Sequence, residues 1–275
     1  MKMSFNTIVG GVLLTLALFT APSCASPRPE SPTPDAAKRF LLLRGYQFDA
    51  KSFQRAVAAN DVGAVDGFLA AGIDPNVKDE ESGGTALIWA ATHDEADVVK
   101  VLLRGGANVN AKDMGGYTAL LRALEKKNDA VAELLLAQPN LEVNVQGFSG
   151  MTALTWYVWS GNEGKVKSLL ERGANPNLSD ADGDTPLHGA AQRGNVNLLQ
   201  MLLAAGADPN AKNKAGGTPL MWAGVYGQEA AARILIEKGA DPALKDEQGL
   251  TASAWAAKNK RDELVRLLRE TEKKR

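Results

Sequence analysis

The sequence predicts an all-α fold, an open solenoid of about seven helix-turn-helix repeats joined by β-hairpin-like loops. Three observations predict it. A six-residue pattern, clearest at Thr185-Pro186-Leu187-His188-Gly189-Ala190, returns at Thr85, Thr118, Thr152, Thr218 and Thr251. From Thr85 onward the steps are 33, 34, 33, 33 and 33 residues, a period that marks a repeat array. A second apolar run follows in each unit, as in Val101-Leu102-Leu103, Leu134-Leu135-Leu136, Leu169-Leu170, Leu202-Leu203 and Ile234-Leu235-Ile236.

Each part of the unit has a physical reason. The threonine precedes an apolar run and can cap the first free N–H groups of a helix. Pro186 and Pro219 follow at the first helical position, where the missing N–H costs nothing. Two residues before each threonine stands a glycine suited to a tight turn, Gly150 and Gly183 among them. Neither helix is long enough to stand alone in water, so each unit must bury its apolar face against the next.

With period, threonine, proline and glycine in phase, residues from about 49 to 270 resemble the ankyrin-repeat family. The resemblance implies a concave groove, lined by the first helices and hairpin tips, that binds a partner protein. It implies no cofactor. It also gives His188 a structural role, its ring bonding backbone near the turn of an adjoining repeat.

Residues 1–25 read as an export leader, with Ile8 to Phe19 apolar but too short to span a bilayer. Cys24, the single cysteine, follows Ala21-Pro22-Ser23 in an arrangement that resembles a bacterial lipobox, with cleavage before Cys24 and acylation of its thiol. Pro22 departs from that pattern, so ordinary secretion with cleavage after Ala25 stays open, as does a retained anchor. The expectation is an exported periplasmic or outer-membrane lipoprotein, held to the membrane by its lipid alone. Residues 26–35 are a proline-rich linker and 36–48 an N-terminal capping helix. Repeats fall near 49–78, 79–112, 113–146, 147–179, 180–212, 213–245 and 246–275. The first is degenerate, with Asp49 a good N-cap and Lys51 where alignment places the threonine. One residue is added at Asp79–Ser82 and another at Gln138–Glu142, both in loops. Ser253 replaces a core leucine in the last repeat, which predicts weaker burial there.

The candidate partner-binding residues are Trp89, Tyr117, Trp156, Trp159, Trp222 and Tyr226, which helical spacing gathers on one side. Two readings stand side by side: an aromatic groove, or packing between adjacent first helices. Tyr157, where neighbouring repeats carry Ala90, Ala190 and Ala223, makes repeat four either locally wider or pushes its ring outward. No catalytic constellation or metal set is expected, because the two histidines lie 95 residues apart and the one cysteine sits in the leader. A net charge of −1 with well-mixed signs argues against nucleic acid. The expectation is a monomeric, non-catalytic protein-binding scaffold of the bacterial envelope; an envelope glycan binder using exposed tryptophans, or an inhibitor or protector of an envelope enzyme, is the alternative.

Overall fold

The computed structural model describes residues 32–273. The leader, Cys24 and most of the linker lie outside them. Fifteen helices follow one another, and no strand is present among the described residues. A capping helix, α1 (Pro34–Leu43), precedes seven helical hairpins. These are α2 (Ala50–Ala58) with α3 (Val62–Ala70), α4 (Ala86–Thr92) with α5 (Ala96–Arg104), and α6 (Ala119–Lys126) with α7 (Asp129–Leu136). Next come α8 (Ala153–Ser160) with α9 (Glu163–Glu171), and α10 (Pro186–Arg193) with α11 (Val196–Ala204). Then α12 (Pro219–Tyr226) pairs with α13 (Glu229–Glu237), and α14 (Ala252–Lys258) with α15 (Asp262–Lys273).

Helices of seven to twelve residues cannot hold themselves, so the stack supplies the stability. First helices pack on first helices and second on second, and a single buried cluster runs from Ala37 to Leu268. Alanines at the fifth and sixth helical positions, such as Ala90, Ala91, Ala190 and Ala191, are fully buried, because only small residues allow the helix backbones so close.

Threonine capping holds in α6, α8, α12 and α14, where Thr118, Thr152, Thr218 and Thr251 accept the N3 amide. Thr85 makes no such bond, and the Thr185 hydroxyl pairs with the His188 ring. The first repeat is capped by Asp49, which accepts from Ser52 N at 2.7 Å, so Lys51 already lies inside α2 and caps nothing. Helix α1 begins at Pro34, inside the stretch read as linker, because Thr33 caps it and proline suits a first turn. Ser253 is buried after all: its hydroxyl bonds Thr251 Oγ1 at 3.0 Å, which removes the cost of placing it there.

Two ladders tie the repeats together. Along the loops, Asn76, Asn110, Asn144, Asn177 and Asn210 each accept, through the side-chain oxygen, a backbone N–H of the following repeat, from Asn108 through Glu142, Asn175 and Asp208 to Asp241. The amides of Asn110, Asn144, Asn177 and Asn210 donate across the same boundaries to Asn140 O, Gly173 O, Gly206 O and Gly239 O. At the hairpin tips, Met114 N donates to Ser82 O, Ala181 N to Ser149 O, Lys214 N to Asp182 O and Glu247 N to Ala215 O. Between the third and fourth tips no equivalent bond forms among the described residues. At the same boundary α8 makes a thinner approach to α6 than any other first helix makes to its predecessor.

Tyr157 lies on α8, beside that seam. Its ring is buried at the position where neighbours carry alanine, and the charges it feels are Glu133 and Asp129 of α7. The ring is therefore not pushed outward, and the looser approach lies between repeats three and four, not within repeat four. Burial raises the phenol far above its ordinary range, so it stays neutral.

Gly150 shows how tightly the tips nest. Its φ is +73°, and a Cβ there would lie 2.7 Å from the backbone N of Ala181 in the next tip. Gly249 has a similar φ, +74°, with open space around it. Gly249→Ala should therefore cost only the left-handed penalty, about 1 kcal/mol. Gly150→Ala should cost about 1–3 kcal/mol more, from the backbone collision. Urea unfolding of the two variants checks the difference; equal losses would mean the tips do not press on one another.

Candidate partner-binding groove

The first helices and hairpin tips present one continuous face, and its chemistry changes along the stack. At the N-terminal end Trp89 is 47% exposed and stacks on His93, with ring centroids 4.2 Å apart. His93 Nδ1 stands 2.9 Å from Trp89 O, which fixes the ring on the indole. Trp89 and His93 line a cavity of about 590 Å³ together with Arg55, Asp79, Glu81 and Arg122. The residue added at the first hairpin helps shape its mouth: Asp79 N reaches Gly84 O, where the next tip closes more tightly from Asp113 N to Tyr117 O.

Tyr117 is held from within. The Arg122 guanidinium lies 4.1 Å from its ring centre, and a Cβ on Gly147 would meet the ring at 2.7 Å. Arg122 is fixed in turn, its Nε and Nη2 donating to Asp113 at 2.9 and 2.6 Å and its Nη1 to Glu125 at 3.0 Å. Arg122 thus steadies a tyrosine and is not a free cation.

Trp156 is half-buried and packs on the core. The structure brings the other three candidates together. Trp222 is the centre, with Trp159 edge-on at 6.3 Å, Tyr226 stacked at 6.1 Å and the His188 ring edge-on at 6.0 Å. Tyr226 is 44% exposed. Trp159 is half-buried because its indole lies across Gly189 of the next repeat, where a Cβ would come within 3.1 Å. The glycine at 189 is what lets that indole cross the boundary. Trp255, the equivalent residue in the last repeat, donates from Nε1 to Asp246 at 2.7 Å, with Lys258 over its ring.

His188 is the buried anchor below this cluster. Its Nδ1 accepts from Thr185 N–H at 3.1 Å, so Nε2 carries the proton and donates to Gly217 O at 3.1 Å. Burial holds the imidazole down at about 4, so it is neutral near neutrality. Asp184, just before the helix, is pushed up by burial while Asn213 Nδ2 donates to it at 2.8 Å.

Sequence reasoning missed Met114 and Phe148. They occupy the same register in adjoining tips, and both are largely exposed, beside the internally held Tyr117. The signal was there: the matching position elsewhere is Ala181, Lys214 or Glu247, small or charged. Among the described residues no group of three His, Cys, Asp or Glu side chains could hold a metal, and no helix is long and apolar enough to cross a membrane.

A family model for ankyrin repeats matches in three copies, over residues 53–147, 140–213 and 187–275. The chain belongs to the ankyrin-repeat family. An ankyrin repeat-containing protein of Treponema pallidum is 32% identical over 146 residues, covering 52% of this chain and 48% of that protein. Inversin of Canis lupus familiaris is 35% identical over 147 residues, which are 53% of this chain and only 13% of its own length. The chain thus spans about half of the first relative and far less of the second. The ankyrin repeat domain of Bcl-3, described as a unique member of the IkappaB protein family, superposes with a TM-score of 0.63 at 29% identity. That match covers 79% of this chain and 97% of that one. Ankyrin repeats generally mediate protein–protein interaction and are typically non-catalytic, so the general role of this fold is that of a binding scaffold.

Proposed function

We propose that this protein is an exported, lipid-anchored scaffold of the bacterial envelope whose ankyrin groove binds one partner protein. The observation that carries the groove reading is the aromatic cluster of Trp159 and Tyr226 on Trp222, which itself packs on the buried His188. Large rings held in place lose little freedom on binding, and such rings dominate interface energies. The N-terminal cavity beside Trp89 receives a second anchor of the partner, and the exposed tips Met114 and Phe148 extend the contact outward. Export and acylation are supported by the apolar run Ile8 to Phe19 and by Cys24 placed just behind it.

Photo-crosslinking probes at positions 159 and 226 in intact cells test the groove. One captured protein, recovered from both positions and absent with a probe on the opposite helix at position 233, is the expected result. Capture from position 233 alone would place the interface on the second helices. Recovery of glycan strands in place of protein would favour a peptidoglycan binder, for which exposed Trp89 is the specific argument.

A further inference from the structure

The two ends of the stack are finished differently. A terminal repeat needs a polar outer face to stay soluble. Helix α15 has one, exposing Asp262, Glu263, Arg266, Arg269 and Glu270. Helix α1 does not. It buries Ala37 and Leu41 against the stack, lays the part-exposed Phe40 against Gly67 of α3, and turns outward Leu42 and Leu43, 63% and 89% exposed. Side by side, those leucines have no packing role in the fold. Basic groups surround them: Arg39 is exposed, Arg44 lies over the Phe40 ring while pairing with Asp61, and Lys38 lies over Phe48. Asp35 is the acidic residue on the same helix.

We propose that the outer face of α1 rests on a lipid bilayer, with Leu42 and Leu43 entering the interfacial region and the exposed Arg39 meeting lipid phosphates. Short amphipathic helices bind membranes in this way, with an apolar face in the interfacial region and basic groups at the headgroups. The lipid is favoured over a second copy of the chain by position. Nine peptide units separate Cys24 from Thr33, at most about 30 Å at full extension, so an acylated Cys24 keeps this end near the membrane. The inference rests on the export-and-anchor reading above.

Its test leaves the acyl group out. Thr33–Arg275 is a compact unit of its own, so a chain starting at Ser26 keeps the whole core. That chain is sedimented with vesicles of phosphatidylethanolamine and phosphatidylglycerol. It should bind, more weakly as salt rises or as phosphatidylglycerol is removed. The double variant Leu42→Asp with Leu43→Asp should lower the partition roughly tenfold or more. Helical signal and melting temperature should not change, since both side chains are exposed. No vesicle binding by the parent chain, or equal binding by the variant, overturns the proposal. So does a concentration-dependent dimer that the variant abolishes, which would make a second copy the cover. Mass analysis of Cys24 in the native membrane protein tests acylation separately, and either result can fail without the other.

Discussion

Acidifying the protein from pH 6.5 to about 4 is expected to remove on the order of 3 kcal/mol of folding stability through His188 alone. The sign follows from the direction of the shift. Burial lowers the folded-state pKa from 6.5 to about 4, because the site is dry and Nδ1 is already committed as an acceptor. Above 6.5 neither folded nor unfolded chain holds the extra proton, and the full stability is present. Between 6.5 and about 4 only the unfolded chain takes it up, so stability falls with pH through that window. Asp184 works in the opposite sense: its carboxyl is raised by burial, so the folded chain takes up a proton before the unfolded one does. The comparison that isolates the histidine is therefore between the parent and His188→Asn, by urea unfolding at several pH values. The variant should be less stable at pH 7, since the Gly217 carbonyl and Thr185 amide lose their ring partner, and its stability should fall less between pH 6.5 and 4. An unchanged slope would mean that the imidazole is not the group that titrates.

Joint truncation of Trp159 and Tyr226 to alanine is expected to weaken the partner's binding by about 2–4 kcal/mol, roughly thirty- to a thousandfold. Both residues touch Trp222, one edge-on and one stacked, so removing both leaves the central ring with His188 as its remaining ring contact. Their loss of surface and the loosening of Trp222 act together, and the double effect should exceed the sum of the single ones. Calorimetric titration of the captured partner against single and double variants measures it. Melting curves of the free variants must accompany the titration, because Trp159 also packs on Gly189 and its truncation will cost some stability. Full affinity in the double variant would move the interface away from this end of the groove.

Much of this architecture could be read from residues alone, and the reason is repetition. Threonine, glycine and the apolar runs recur in phase, so each unit corroborates the others, and short helices leave stacking as the remaining way to bury them. What could not be read was anything set between units. Tyr157 looked anomalous against Ala90 and Ala190, but only the packing shows it buried against the α7 side and the seam beside it. Tyr117 and Trp89 looked equivalent by register; Arg122 and Gly147 hold the first, while the second stays open beside a cavity. The asparagines were legible and passed over. Asn110, Asn144, Asn177 and Asn210 recur at 34, 33 and 33 residues, but polar loop residues carry weight only when their partners across the boundary are seen.

Those asparagine rungs have a consequence for how such a protein changes its size. Each rung repeats the same bond one period further on, so excising or duplicating a whole unit leaves donor and acceptor matched on both sides of the join. Copy number can drift by recombination while every junction remains chemically intact. The exceptions are the junctions with an extra loop residue, at Asp79–Ser82 and at Gln138–Glu142; the second, between the third and fourth units, also lacks the tip bond.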